Sequence, residues 1–408
     1  MTTTDLRIDI DRLLHRLHAL GEVGALPGGG VCRLALGDED RRGRDLVRGW
    51  MDELGLRVSI DPIGNVVGVW PGAEDGPPVL TGSHIDTVRT GGLYDGNLGV
   101  LAGLEVIETL QEAGVALRRP LAVAFFTNEE GARFAPDMMG SLVFVGALSV
   151  EEARATVGIE GATVGGELDR IGYAGTAPPM PVHAYVELHV EQGPVLEREG
   201  VQIGVVQGVQ GISWTEFTVH GVSNHAGTTP LALRHDAGLV AGSMVAFVRR
   251  LAREIGGDQI ATVGRLRLHP DLVNVIPNRA TFTVDLRNTD EAALQQAEAR
   301  VHAEVEALAR AEGCTVEHRP LARFEPVAFD RGVVDRVEAA ARELGLSTRR
   351  MPSGAGHDAQ MLARICPAAM IFVPSVGGIS HNVKEHTEPA DLEAGANVLL
   401  RVLSDLAS

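Results

Sequence analysis

The sequence predicts an α/β protein: a mainly parallel sheet flanked by helices, interrupted by an inserted ferredoxin-like α+β domain. Three observations carry that reading. Between residues 58 and 203, apolar strand-like stretches alternate with amphipathic helical ones, and such an order implies parallel pairing with helices on both faces. From residue 212 to about 326 the order becomes β-α-β-β-α-β, the split pattern of a ferredoxin-like unit. The chain has 408 residues, too many for one simple core. The expected division is 1–211 for the first part of the main domain, 212–326 for the insertion and 327–408 for the second part of the main domain.

The elements follow in order. Residues 5–20 place Leu6, Ile10, Leu13, Leu14 and Leu17 at helical spacing. Residues 79–83 read as a short apolar strand entering a glycine-containing turn. Residues 99–112 set Val100, Leu101, Leu104, Ile107 and Leu110 on one helical face. Residues 121–127 form a buried strand that runs into Asn128, Glu129, Glu130 and Gly131. Inside the insertion, 214–220, 260–268 and 280–287 read as strands and 236–255 and 290–312 as helices. Gly313 stops the second helix, and 315–318 opens the last strand. Residues 368–373 return to the first sheet.

Composition narrows the function. The chain is 45% hydrophobic and 22% charged with a formal charge of -18. That excess of acid repels phosphate backbones and argues against nucleic-acid binding. Aromatics are 4% of the residues, which also disfavours base-stacking platforms. Cys32, Cys314 and Cys366 are widely separated, so they form neither a disulfide framework nor a zinc-finger pattern. The first ten residues lack an apolar core and do not read as a signal peptide. The longest apolar runs are far short of a membrane span. A cytoplasmic protein without membrane attachment is expected.

Five segments carry candidate ligands, each at the end of a predicted strand or in the turn after it, where open α/β sheets build their sites. In Gly82-Ser83-His84-Ile85-Asp86, His84 can bind a metal, and Asp86 can hold the other ring nitrogen. Asp95 lies among glycines just before a helix. Glu129 and Glu130 are adjacent after a buried strand, so one can bind metal while the other serves as general base. In residues 185–191, strand alternation sets Glu187, His189 and Glu191 opposite Val186, Leu188 and Val190. His381 sits in a glycine-rich loop. Singly, these are a loop histidine, a helix cap, an acidic turn, a solvent-facing strand and a surface histidine. Together they divide into His84, Asp95 and His189 for one ion and Asp95, Glu130 and His381 for a second, with Asp95 shared. Two divalent ions per chain are expected. Zinc is the default for nitrogen and oxygen ligands with an open position, and manganese, cobalt or nickel suit the same donors.

At this point the chain resembles the carbamoylase branch of the M20 metallopeptidase superfamily, which includes N-carbamoyl-L-amino acid hydrolases, β-ureidopropionases and allantoate amidohydrolases. The resemblance runs through GSHIDTV, GGLYDGNLG, FTNEEGARF, HVEQGPVLE, GVSNHAGTTP, NVIPNRATFTVDLRN, SGAGHDA and GGISHN. It implies a metal-dependent aminopeptidase-like fold and hydrolysis of the carbamoyl C–N bond of a small ureido substrate. It implies that Glu129 is the general base, that His225 steadies the developing oxyanion, and that Gln192, Asn274 and Arg287 bind substrate. It further implies a homodimer through residues 212–326 in which His225 serves the neighbouring site. The residues add support for Arg287. It shares a polar strand face with Thr281, Thr283 and Asp285, and its planar fork suits bidentate capture of an α-carboxylate. A surface ion pair with an acid is the ordinary alternative for that arginine.

Overall fold

The computed structural model describes residues 6–408. The chain divides into two compact units, one made of the residues up to Gln207 with Phe329–Ser408, the other of Gly208–Ala328. In the first unit, helices α1 (Ile10–Gly21) and α2 (Asp38–Glu53) precede strands β1 (Arg57–Ile60) and β2 (Val66–Trp70). Strand β3 (Val79–His84), helix α3 (Asn97–Glu112) and strand β4 (Leu121–Phe126) come next. Short helices α4 (Met139–Phe144), α5 (Val150–Ala155) and α6 (Val164–Ile171) lead to β5 (Ala184–Val190), α7 (Val195–Glu199) and β6 (Ile203–Val209). The second unit holds β7 (Gly211–His220), α8 (Ala237–Ile255), β8 (Ile260–His269), β9 (Arg279–Asn288), α9 (Glu291–Ala311) and β10 (Thr315–Phe324). The chain then returns through β11 (Val327–Ala328), α10 (Arg331–Glu343), β12 (Thr348–Ser353), α11 (Asp358–Leu362), β13 (Ala368–Val373) and α12 (Pro389–Ala407).

The large sheet runs β1-β2-β4-β3-β5-β13-β6-β11, with β12 paired to β6. Its centre is parallel: β3 pairs with β4 and β5, and β5 with β13. The flanks β1, β2, β6 and β11 pair antiparallel. Both faces of β5 are covered. Leu188 meets Gly395 of α12, while Glu187, on the opposite face by strand alternation, accepts the amide of Ala359 in α11 at 2.9 Å. All seven residues of β5 are therefore buried. The polar face of Glu187 and His189, which taken singly would suit a solvent-facing strand, is an interior face.

Helix α1 starts later than its apolar spacing suggests, at Ile10, because the Asp9 carboxylate caps the amide of Arg12. Residues 6–9 are outside the helix, and residue 5 lies outside the described residues. Arg12 and Arg16 tie α1 to Glu105 and Glu108 of α3. In the second unit the sheet order is β10-β7-β9-β8. Ala280, Phe282, Val284 and Leu286 of β9 pack inward with Phe217, Leu294 and Val301, and the Phe217 and Phe282 rings stack with centroids 5.4 Å apart. No helix among the described residues is long and apolar enough to cross a membrane.

Candidate metal centre and active site

The site lies at the carboxyl ends of the parallel strands. β3 ends on His84, β4 runs on to Glu129 and Glu130, and β5 carries His189. Asp95 comes from the β3–α3 loop and His381 from the loop between β13 and α12. With Gln192, Asp137 and the turn at Gly356 and His357, they line a cleft of about 130 Å³.

Asp95 is the hub. Its Oδ1 faces His189 Nε2 at 3.2 Å and His84 Nε2 at 3.8 Å, while its Oδ2 faces His381 Nε2 at 3.2 Å. His381 Nε2 also lies 3.3 Å from Glu130 Oε2. Gly96 makes this approach possible. It has φ +68°, and a Cβ there would fall 2.4 Å from the His84 ring, so only glycine is accommodated. The Gly96 amide lies 3.2 Å from His189 Nε2 and donates to it when the ring is neutral.

The imidazoles are oriented from behind by main-chain carbonyls. His84 donates from Nδ1 to the Asp86 carbonyl and His189 to the Val190 carbonyl, both at 2.9 Å. Each ring thus presents Nε2 to Asp95. Asp86 thus holds the other nitrogen of the His84 ring, as read from the sequence, but with its carbonyl. The Asp86 carboxylate instead accepts the amides of Glu129 and Glu130 at 3.2 and 3.3 Å. Burial pushes the Asp86 carboxyl up to about 7 and His84 down to about 4. Burial opposes charge on His189 too, but the hydrogen bond and charge of Asp95, with Glu187 behind, outweigh it and raise His189 to about 9. A divalent ion would replace that proton.

Glu129 lies beside the ligands, its Oε2 3.3 Å from His84 Nε2. Burial, then the charges of Asp358, Glu130, Asp86 and Asp95, hold its carboxyl well above the usual range. Gln192, at φ +59°, donates its side-chain amide to Asp95 Oδ2 at 3.0 Å. Its Oε1 is buried without a partner.

Three positions on the second unit complete the sequence-derived set. His225 accepts at Nδ1 from the amides of Gly227 and Thr228, at 3.0 and 3.3 Å, which leaves the ring proton on Nε2. Asn274 is beside it in the fold, since its carbonyl accepts the Ala226 amide at 2.9 Å. Arg287 stands on the polar face of β9. Its Nε and Nη2 lie 3.1 and 3.0 Å from Asp285 oxygens, and its guanidinium is 5.9 Å from the Trp214 ring centroid. The structure therefore groups His84, Asp95, Glu129, Glu130, His189, Gln192 and His381 on the first unit, with Asp86 behind them. His225, Asn274 and Arg287 belong to the second.

Two carboxylates support the site: Glu385, which the sequence reading missed, and Glu187, which it placed on the His189 face without a role. Glu385 accepts the amides of Tyr94 and Asp95 at 3.1 Å through Oε1 and the Ser380 hydroxyl at 3.0 Å through Oε2. It links the loop that bears Asp95 to the loop that bears His381. Its place four residues after His381 is the one signal that points to it. Glu187 accepts Ser83 Oγ at 2.7 Å and the Ala359 amide at 2.9 Å.

The donors fit two divalent ions. The ligand atoms of His84, Asp95 and His189 lie within 4.8 Å of one another, as do those of Asp95, Glu130 and His381. Glu187, His189 and His357 meet the same distance but make no third site. His189 already spends Nδ1 on Val190 and turns Nε2 to Asp95, and both Glu187 oxygens are hydrogen-bonded.

Fold and site define a metal-dependent hydrolase. Residues 80–405 match the model of peptidase family M20/M25/M40. The chain is 41% identical over 406 residues to an N-carbamoyl-L-amino-acid amidohydrolase of Rhizobium meliloti, covering 98% of this chain and 97% of that one. It is 35% identical over 416 residues to a ureidoglycolate hydrolase of Oryza sativa subsp. japonica, covering 98% and 85%. A crystal structure of an amidase of the hydantoinase/carbamoylase family from Burkholderia multivorans superposes with a TM-score of 0.96 at 45% identity, covering 98% of each chain. The chain belongs to the M20/M25/M40 family, within its carbamoylase branch.

Proposed function

We propose that the protein is a dinuclear amidohydrolase that splits the carbamoyl C–N bond of N-carbamoyl-L-amino acids, giving the amino acid, ammonia and carbon dioxide. The observation that carries this reading is the division of Asp95, one oxygen toward His84 and His189, the other toward His381, with Glu129 alongside. Divalent ions held by these residues, zinc by default, supply the Lewis acidity that polarises the ureido carbonyl and acidifies water.

The chain's own groups do the rest. Glu129 takes the proton from the attacking water and returns it to the leaving nitrogen, a transfer suited to a buried carboxyl with raised proton affinity. Gln192 offers its partnerless Oε1 to a ureido N–H. His225, with its proton on Nε2, donates to the developing oxyanion. Asn274 and Arg287 hold the α-carboxylate, and Arg287 shares its fork between the substrate and Asp285. A kinetic comparison of an N-carbamoyl-L-amino acid with its α-amide tests the reading. The acid is expected to react and the amide to lose most of kcat/KM. Equal efficiency on both would remove Arg287 and Asn274 from substrate binding. Absence of ureido hydrolysis would remove the function. Ureidoglycolate and allantoate belong in the same panel, because a relative is a ureidoglycolate hydrolase.

The same reading includes a homodimer formed through residues 212–326. Strand β8 is an edge of its sheet and, with the segment after it, exposes Leu266, Leu268, Leu272 and Val273, a row that a second copy would cover. Mixing inactive His225→Ala with inactive Glu129→Gln chains tests whether sites are shared. Recovered activity in heterodimers supports it, and heterodimers without activity refute it.

A further inference from the structure

Asp95, Glu129, Glu130 and Asp137 are the carboxylates that line the catalytic cleft. Three of them face a histidine nitrogen: Asp95 as described, Glu129 toward His84 and Glu130 toward His381. Asp137 faces none. Its carboxylate meets its own backbone amide, and desolvation by the surrounding protein raises its proton affinity with no cation to offset it. No lysine or arginine lines the cleft either.

The loop that presents Asp137 is built to hold one shape. Asn128 donates its side-chain amide to the carbonyls of Phe134 and Pro136 at 2.8 and 3.1 Å. The Met138 amide donates to the Glu129 carbonyl at 2.7 Å. Gly131, at φ +63°, lets the two arms of the loop close: a Cβ there would lie 2.8 Å from Asp137 Cα. Asp137 is exposed at the rim, yet its position relative to Glu129 and Glu130 is fixed by these bonds. The cleft is small, about 130 Å³, and Asp137 is part of its wall beside Glu129 and Glu130.

We infer that Asp137 is a specificity-determining residue that selects ureido substrates whose substituent presents N–H donors, and rejects those that present a second carboxylate. The inference rests on the proposed ureido hydrolysis and deepens it. A carboxylate that faces no cation and meets only its own backbone amide gains charge-assisted hydrogen bonds from such a substituent and repels an anion. Two sources offer that chemistry, a cationic side chain and a neutral second ureido group.

The test is the ratio of kcat/KM values on the metal-loaded enzyme for N-carbamoyl-L-lysine, N-carbamoyl-L-norleucine, N-carbamoyl-L-glutamate and allantoate. Ratios within one protein cancel any general loss of activity. The wild type is expected to favour the lysine derivative over norleucine and norleucine over glutamate. Asp137→Asn should shrink the lysine-to-glutamate ratio by roughly ten- to a hundredfold, the scale of a hydrogen bond to a charged group. Asp137→Lys should invert it. A gain on allantoate over norleucine that Asp137→Asn removes identifies the second ureido group as the source; a gain on lysine so removed identifies the cation. Hydrolysis with the same ratios in wild type and both variants overturns the role of Asp137 and leaves the proposed function standing. A wild type that hydrolyses none of the panel overturns both.

Discussion

Glu129 and Glu130 are chain neighbours with different proposed tasks, and Asp86 is what lets them diverge. By taking one amide from each, it fixes the turn from which one carboxylate reaches His84 and the other His381. Glu129→Gln should keep both ions while turnover falls about a hundred- to ten-thousandfold, the usual contribution of a general base. Metal analysis with steady-state kinetics checks this, and a near-native rate would exclude Glu129 as the base. That His84, Asp95, Glu130, His189 and His381 come together was legible because each lies on a strand end or in the loop that follows a strand, positions that apolar patterning reveals. The task of Asp86 was not, because whether a residue uses its carbonyl or its carboxylate depends on backbone path. The Asp285 partner of Arg287 is two residues away on the same strand face, so that pair could be read. What the pairing does to substrate binding could not.

At the scale of elements, the site is a meeting of loops, and Glu385 holds two of them together. Gly92 leaves room for it, since a Cβ there would lie 2.2 Å from Glu385 Oε1. Glu385→Ala should weaken binding of divalent ions by about ten- to a hundredfold, as loss of a group that positions ligands commonly does. Competition with a chelating dye measures it directly, without reference to activity, and unchanged affinity would reduce Glu385 to a local packing role. Patterning gave strand and helix types well, as in β9, whose alternate residues pack inward. It did not give the antiparallel flanks, because hydrogen-bond direction leaves no mark on the apolar period. It did give helices on both faces of the parallel sheet, as at β5 between α11 and α12; which helix covers which face it did not give, because α11 arrives from far along the chain.

At the scale of the whole molecule, the first unit gathers carboxyls that bind protons more tightly folded than unfolded, Asp86 at about 7 and Glu385 at about 6, both through burial. Between the unfolded values near pH 4 and these raised ones, the folded chain carries the extra protons. The contribution of these two carboxyls to metal-free stability therefore falls as pH rises through that window, against an opposite one from His84, lowered to about 4. The positive charge of bound ions nearby would disfavour those protons, so the gain in Tm on adding zinc should be larger at about pH 8 than at about pH 5. Thermal unfolding with and without metal measures it, and a gain that is constant or shrinks with pH would contradict the sign. The seam where the second unit joins the first has another consequence. The chain leaves along β6 and returns along β11, with Val209 opposite Val327 and Gly208 opposite Ala328. Exit and re-entry are adjacent strands, so residues 211–325 form a cassette that could be cut out and the gap closed by a short hairpin turn. Every metal ligand, Glu129 and Asp137 would stay behind, while His225, Asn274 and Arg287 would leave. Such a trimmed chain should still take up metal but not turn over substrate. The proposed ligands and the proposed carboxylate anchor thus lie on opposite sides of one two-strand seam, and a cassette from a related chain could be joined at the same place.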